Sequence, residues 1–94
     1  MTIARLYRMT AGDGQADALL RALTALAETV GVIPDCEGTE ILQDRDQPEL
    51  FLFIEKWVSV EAHKAGGALL PKEAMAPVMA ALAGRPEGSY LDYR

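Results

Sequence analysis

The segment from Leu50 to Val58, LFLFIEKWV, constrains the fold more than any other part of the chain. Alternation places Leu50, Leu52 and Ile54 on one face and Phe51, Phe53, Glu55 and Trp57 on the other. Both faces are apolar over most of the length, and a strand of that kind is covered on both faces. The chain has 94 residues, about one small domain, so residues 1–94 are expected to form a single unit. Two or three helices can cover one face of a small sheet. The other face then needs a different cover, most simply a second subunit.

The remaining pattern supplies the rest of such a sheet. In residues 2–9, Ile3, Arg5, Tyr7 and Met9 alternate with Ala4, Leu6 and Arg8, which predicts a first strand. The turn at residues 10–14 carries Gly12 and Gly14 but lacks the third glycine of a dinucleotide loop, and Asp13 is placed as the cap of the next helix. Over residues 15–31, Leu19, Leu20, Leu23, Leu26, Ala27 and Val30 recur at spacings of three and four, the stripe of a helix packed on a sheet. Gly31 is expected just past its end, and Pro34 prevents continuation. Residues 35–44 read as a loop entering a strand near Thr39, and residues 45–49 turn the chain into the doubly apolar strand. Ser59 caps a helix with Glu61 in its first turn, expected to stop at Gly66-Gly67. Pro71 starts another. Pro77 predicts a break near residues 74–77, because a proline in a helix interior costs about 3 kcal/mol. Residues 87–93 give a last strand. The order specifies an α+β, ferredoxin-like split βαβ fold (βαββαβ): a mainly antiparallel four-stranded sheet with helices on one face.

Composition removes whole classes of function. A net charge of -5 disfavours nucleic acid and anionic membrane surfaces, both of which need a basic face. A lone cysteine, Cys36, makes neither an internal disulfide nor a CxxC zinc or redox site, and an inert thiol is its expected state. No run approaches the ~18 apolar residues of a membrane span, and the N-terminus has no secretory h-region, so a cytoplasmic protein is expected. The chain contains no asparagine, which removes acylphosphatase-like catalysis.

Several stretches in order, Pro34-Asp35-Cys36-Glu37-Gly38, Asp46-Gln47-Pro48-Glu49, Glu55-Lys56-Trp57, Ser59 and Glu61-Ala62-His63, together with Gly12, resemble the antibiotic biosynthesis monooxygenase family, which includes quinol monooxygenases of the YgiN type. Two positions depart from it. Asp35 stands where the family commonly has glycine, and Gly66 stands where it often has a histidine. The resemblance implies a homodimer whose two sheets pack into an α/β barrel. It also implies a pocket between sheet and helices for a small aromatic or phenolic substrate and O2. The activity implied is a monooxygenase without flavin, haem or metal, oxidising a quinol, anthrone-like or other polyphenolic substrate. Haem degradation is disfavoured, since no asparagine and no histidine after His63 exist. The other open reading is a non-enzymatic dimeric barrel that binds a small hydrophobic metabolite.

Each candidate site residue carries two readings. His63, the only histidine, is the side chain best suited to deprotonate a phenol near neutral pH, or a surface residue of its helix. Trp57, with Phe51 and Phe53 on its face, lines an aromatic pocket or fills a core or interface. Glu55 on the same face needs a partner or a wet cavity; it binds substrate there or pairs with Arg5 or Arg8 to hold sheet or dimer. Arg5 and Tyr7 hydrogen-bond substrate oxygens or stand at an interface. Tyr90 and Tyr93 are assigned to packing. No metal ligand set is expected.

Overall fold

A computed structural model describes residues 1–94. The chain runs β1 (Ile3–Thr10), α1 (Ala16–Gly31), β2 (Cys36–Gln43), β3 (Leu50–Trp57), α2 (Val60–Leu69), α3 (Lys72–Ala81) and β4 (Glu87–Asp92). The strands form one sheet in the order β2-β3-β1-β4, with every neighbouring pair antiparallel. This is the split βαβ architecture that the element order specifies, with the second helical segment divided in two.

Register fixes what each face carries. Ile3, Arg5, Tyr7 and Met9 lie opposite Trp57, Glu55, Phe53 and Phe51. This row faces the helices, where Phe51, Phe53 and Trp57 bury completely against Leu19, Leu23, Leu26 and Val30 of α1 and Val78 of α3. Each fully buried leucine or phenylalanine contributes about 1.5–3 kcal/mol by leaving water. The opposite face carries Leu6, Ile54, Leu52, Leu42 and Leu91, with no element over it. Leu42 and Leu91 remain 49% and 46% exposed there. The sheet is therefore open, with one apolar face covered and the other bare.

Several local expectations give way to tertiary geometry. Asp13 does not cap α1: Gly14 takes a left-handed φ of 71°, and the helix begins only after Gln15, which makes no side-chain cap. Gly31 is the last residue of α1 rather than the residue past its end, and Val32 is the C-cap. The left-handed residue on the way to β2 is instead Asp35, at φ 70°. Aspartate tolerates this conformation better than most residues, and it is the conformation glycine adopts without strain. β2 starts at Cys36, earlier than Thr39, because a bulge between Cys36 and Gly38 absorbs an irregular residue. α2 is capped by Ser59, whose Oγ accepts from the Ala62 N–H at 3.0 Å. It continues through Gly66 and Gly67 to Leu69. α3 continues through Pro77 without a break. Both Pro77 and Glu73, whose carbonyl it leaves unpartnered, are exposed, so water can satisfy that carbonyl.

Candidate active site

A cavity of about 110 Å³ lies between the helix-facing side of the sheet and the α2–α3 segment. Its walls are mostly apolar, formed by Met9, Leu26, Val30, Ile33, Phe53, Leu70 and Met75 among others, and one end is polar. That end is built from β1, β3 and α2: Tyr7, Glu55, Trp57 and His63. Strand pairing places Tyr7 beside Phe53 and Arg5 beside Glu55. The Ser59 cap starts α2 two residues after Trp57, so His63, one turn in, lies over the sheet edge-on to the Trp57 ring, with centroids 5.6 Å apart.

Trp57 donates its indole N–H to Glu55 Oε1 at 3.0 Å. Glu55 is buried, and that burial pushes its carboxyl above the usual carboxylate value, with the Trp57 hydrogen bond and Arg5 opposing. His63 Nε2 is hydrogen-bonded to the Tyr7 hydroxyl at 3.0 Å, and His63 Nδ1 to the Tyr90 hydroxyl at 2.7 Å. Nε2 also lies 3.7 Å from Glu55 Oε1. Desolvation, then the nearby Arg5 and Lys64 charges, hold the imidazole below its ordinary value, so the ring is neutral near pH 7 and this approach is not an ion pair. Burial raises the Tyr7 phenol above its ordinary value. The result is a neutral imidazole, with no free nitrogen, held between two phenols.

Arg5 stands behind this group. Its guanidinium carbon lies 4.8 Å from the centre of the Tyr7 ring and 4.4 Å from that of Tyr90. A Cβ at position 88 would overlap the guanidinium, so Gly88 on β4 makes the room it occupies. No carboxylate pairs with Arg5, and its buried Nε has no partner. The two ring faces offset part of the cost of holding this cation out of water, at roughly 0.5–2 kcal/mol each.

Of the residues singled out from sequence, Tyr7, Phe53, Glu55, Trp57 and His63 line the cavity together. Phe51 does not; it is fully buried in the core against α1 and α3. Arg5 faces the right side of the sheet but sits one layer behind the wall. The ion-pair expectation for Glu55 fails on both counts: Arg8 projects from the open face, and Arg5, although opposite in register, makes no salt bridge with it. Tyr90, a packing residue on the sequence reading, holds His63 through its hydroxyl. The signal for it lies in the β1–β4 register, Arg5 opposite Tyr90, which periodicity alone does not reveal. Cys36 is half-buried and its thiol is raised by burial, consistent with an inert thiol. No three metal-ligating side chains converge anywhere in the chain.

Gly66, where the resemblance implies a histidine, lies against the Trp57 ring. A Cβ there would lie 2.5 Å from Trp57 Cη2 and 2.7 Å from Cζ3. The indole ring packs directly on the α2 backbone, and no larger side chain fits beneath it.

A sequence model described as antibiotic biosynthesis monooxygenase matches residues 2–65. The chain belongs to the antibiotic biosynthesis monooxygenase family. No curated protein matches it by sequence. Among solved structures, a protein of Chloroflexus aurantiacus described as a candidate member of the same family is 28% identical over 100% of this chain and 95% of its own, with a TM-score of 0.81. A variant of SnoaB, a cofactor-independent oxygenase from Streptomyces nogalater, superposes at a TM-score of 0.84 with 17% identity, over 99% of this chain and 93% of its own. A candidate family member from Bordetella bronchiseptica reaches a TM-score of 0.89 at 13% identity, over 99% and 97%. At those two identities the likeness is one of fold. No helix of the chain is long and apolar enough to cross a membrane.

Proposed function

We propose that the chain is a cofactor-independent monooxygenase oxidising a quinol, anthrone-like or other polyphenolic substrate with O2, working as a cytoplasmic homodimer. The observation that carries this reading is the hydrogen-bonded Tyr7–His63 pair at the polar end of an otherwise apolar cavity, in a chain of this family. At about 110 Å³ the cavity is smaller than the ~150 Å³ that accepts a benzene ring, so a single phenolic ring is the most it would take, with its hydroxyl toward Tyr7 and His63 and any further rings outside it.

The chemistry balances without a further reductant. The site takes the phenol proton, leaving an electron-rich phenolate. The phenolate passes one electron to O2, the resulting radical pair joins at a ring carbon bearing hydrogen to form a peroxide anion, and the return of one proton through the site makes it a hydroperoxide. That carbon then loses its proton as the O–O bond breaks, leaving a carbonyl and one water. The apolar walls keep bulk water from the intermediates. Arg5, with no counter-ion of its own, favours the negative charge that develops beside Tyr7. The bare face of Leu6, Leu52 and Ile54 supports the dimer, since a second copy would bury it.

Oxygen uptake with a panel of mono- and polycyclic phenols and quinols tests the reading. Uptake should fall by about 10²–10⁴-fold in His63→Ala, the usual range for loss of an acid–base group, and fall also in Trp57→Phe. Saturable quenching of Trp57 fluorescence by the same compounds, with no oxygen consumed, would replace the oxygenase with the binding-protein reading.

A further inference from the structure

A neutral imidazole presents one donor and one acceptor. Both nitrogens of His63 are bound to phenolic hydroxyls, Nε2 to Tyr7 on the cavity wall and Nδ1 to Tyr90 on the edge strand β4. Tyr7 is half-buried and lines the cavity; Tyr90 does not line it and is 37% exposed. The two hydrogen bonds thus make a continuous path from the cavity to the surface. The surroundings of His63 make a stored positive charge costly. Arg5 on β1 and Lys64 on α2 oppose it, and among the groups packed around the ring only Glu55 on β3 favours it, at 3.7 Å.

We propose that Tyr90 is the outer member of a proton relay, Tyr7–His63–Tyr90, through which the site deprotonates its substrate without forming an imidazolium. This rests on the oxygenase reading for its use, not for its existence. In the starting state Tyr7 O–H donates to Nε2, Nδ1–H donates to Tyr90, and the Tyr90 hydrogen points to water. The substrate proton then moves to the Tyr7 oxygen and the Tyr7 proton to Nε2. The Nδ1 proton moves to the Tyr90 oxygen and the Tyr90 proton to water. Substrate has become phenolate, water has become hydronium, and every protein group is again neutral. His63 has changed tautomer. Tyr90 acts through His63 and touches no substrate, so it is a positioning residue.

Tyr90→Phe tests this cleanly, because it keeps the ring on Arg5 and removes only the hydroxyl. His63 is the only histidine, so its ring nitrogens give an unambiguous magnetic resonance signal. In the unmodified protein both tautomers should be populated. In Tyr90→Phe the ring should collapse to the Nε2–H form, which faces Tyr7 and Glu55. Tyr93→Phe, on an exposed residue outside the network, should leave the signal unchanged. Tautomer populations equal in the unmodified protein and Tyr90→Phe would overturn the proposal whatever the activity. With an active substrate, turnover should fall about 10²-fold at little-changed KM. The solvent-deuterium dependence of turnover should change from curved, as for several protons in flight, to linear. Turnover in Tyr90→Phe equal to that of the unmodified protein across the pH range would also overturn it. If no compound supports oxygen uptake, the function fails and the tautomer measurement still decides the relay.

Discussion

Replacing Gly66 by alanine isolates one packing contact. A Cβ at this position would sit 2.5 and 2.7 Å from two carbons of the Trp57 ring and 3.1 Å from Ile33 Cγ2. The Trp57 ring is not free to yield. Trp57 is 1% exposed and tied by its N–H to Glu55, so rotating the indole would strand a buried carboxyl. Overpacking of this kind costs about 1–3 kcal/mol. Alanine also gains up to about 1 kcal/mol over glycine in a helix, which would mask part of the effect. Gly67, next in the same helix, supplies the reference: a Cβ there meets nothing within 4 Å. Gly67→Ala should be neutral to stabilising and Gly66→Ala destabilised, and the difference between them is the clash alone, about 1–3 kcal/mol. At about 4–8 °C per kcal/mol for a domain of this size, the two melting temperatures should separate by at least ~4 °C. Urea unfolding followed by circular dichroism, at one protein concentration for all variants, reads it directly. Equal midpoints for the two variants would refute the packing of Trp57 on the α2 backbone.

Further outcomes follow from the charges and from the bare face. Glu55 has a folded pKa raised above the ordinary 4.5, chiefly by burial, so its contribution is present below that value and is lost as pH rises through the folded pKa. His63, lowered below 6.5 chiefly by burial, contributes stability above 6.5 that is lost as pH falls through its folded value. The two slopes oppose. Glu55→Gln should therefore raise stability at neutral pH relative to acid, leaving the rising His63 slope, as measured by urea midpoints between pH 4 and 8; an unchanged profile would contradict the burial of a titrating carboxyl. Ile54→Lys, on the uncovered sheet face, should give a folded monomer by light scattering, and a dimer undiminished by it would place the subunit contact elsewhere.

How much was legible from sequence depends on the range of the interaction concerned. The strands at residues 3–10 and 50–57 and helix α1 follow from periodicity, because each buries a continuous apolar row and the row is visible in order along the chain. The ends and breaks were less legible. Gly66 and Gly67 read as a stop, since glycine weakens a helix locally, but the Trp57 ring packed on Gly66 uses the missing side chain. Pro77 read as a break, but its freed carbonyl faces water. Tyr90 read as packing because nothing near it in sequence suggests a partner; His63 lies 27 residues away.

By itself the sequence determined the order of elements, the fold they compose, the doubly apolar strand that leaves one face uncovered, and the residue types available for chemistry. Those properties are set by side chains a few positions apart. The tertiary structure alone decided that Tyr7, His63 and Tyr90, drawn from two strands and a helix, share one hydrogen-bonded group, that Glu55 of a third strand lies 3.7 Å from His63, and that Arg5 stands unpaired behind them. A proton can move only between atoms within hydrogen-bond distance, and distances among four separate elements are fixed by strand register and helix docking, which no local pattern encodes.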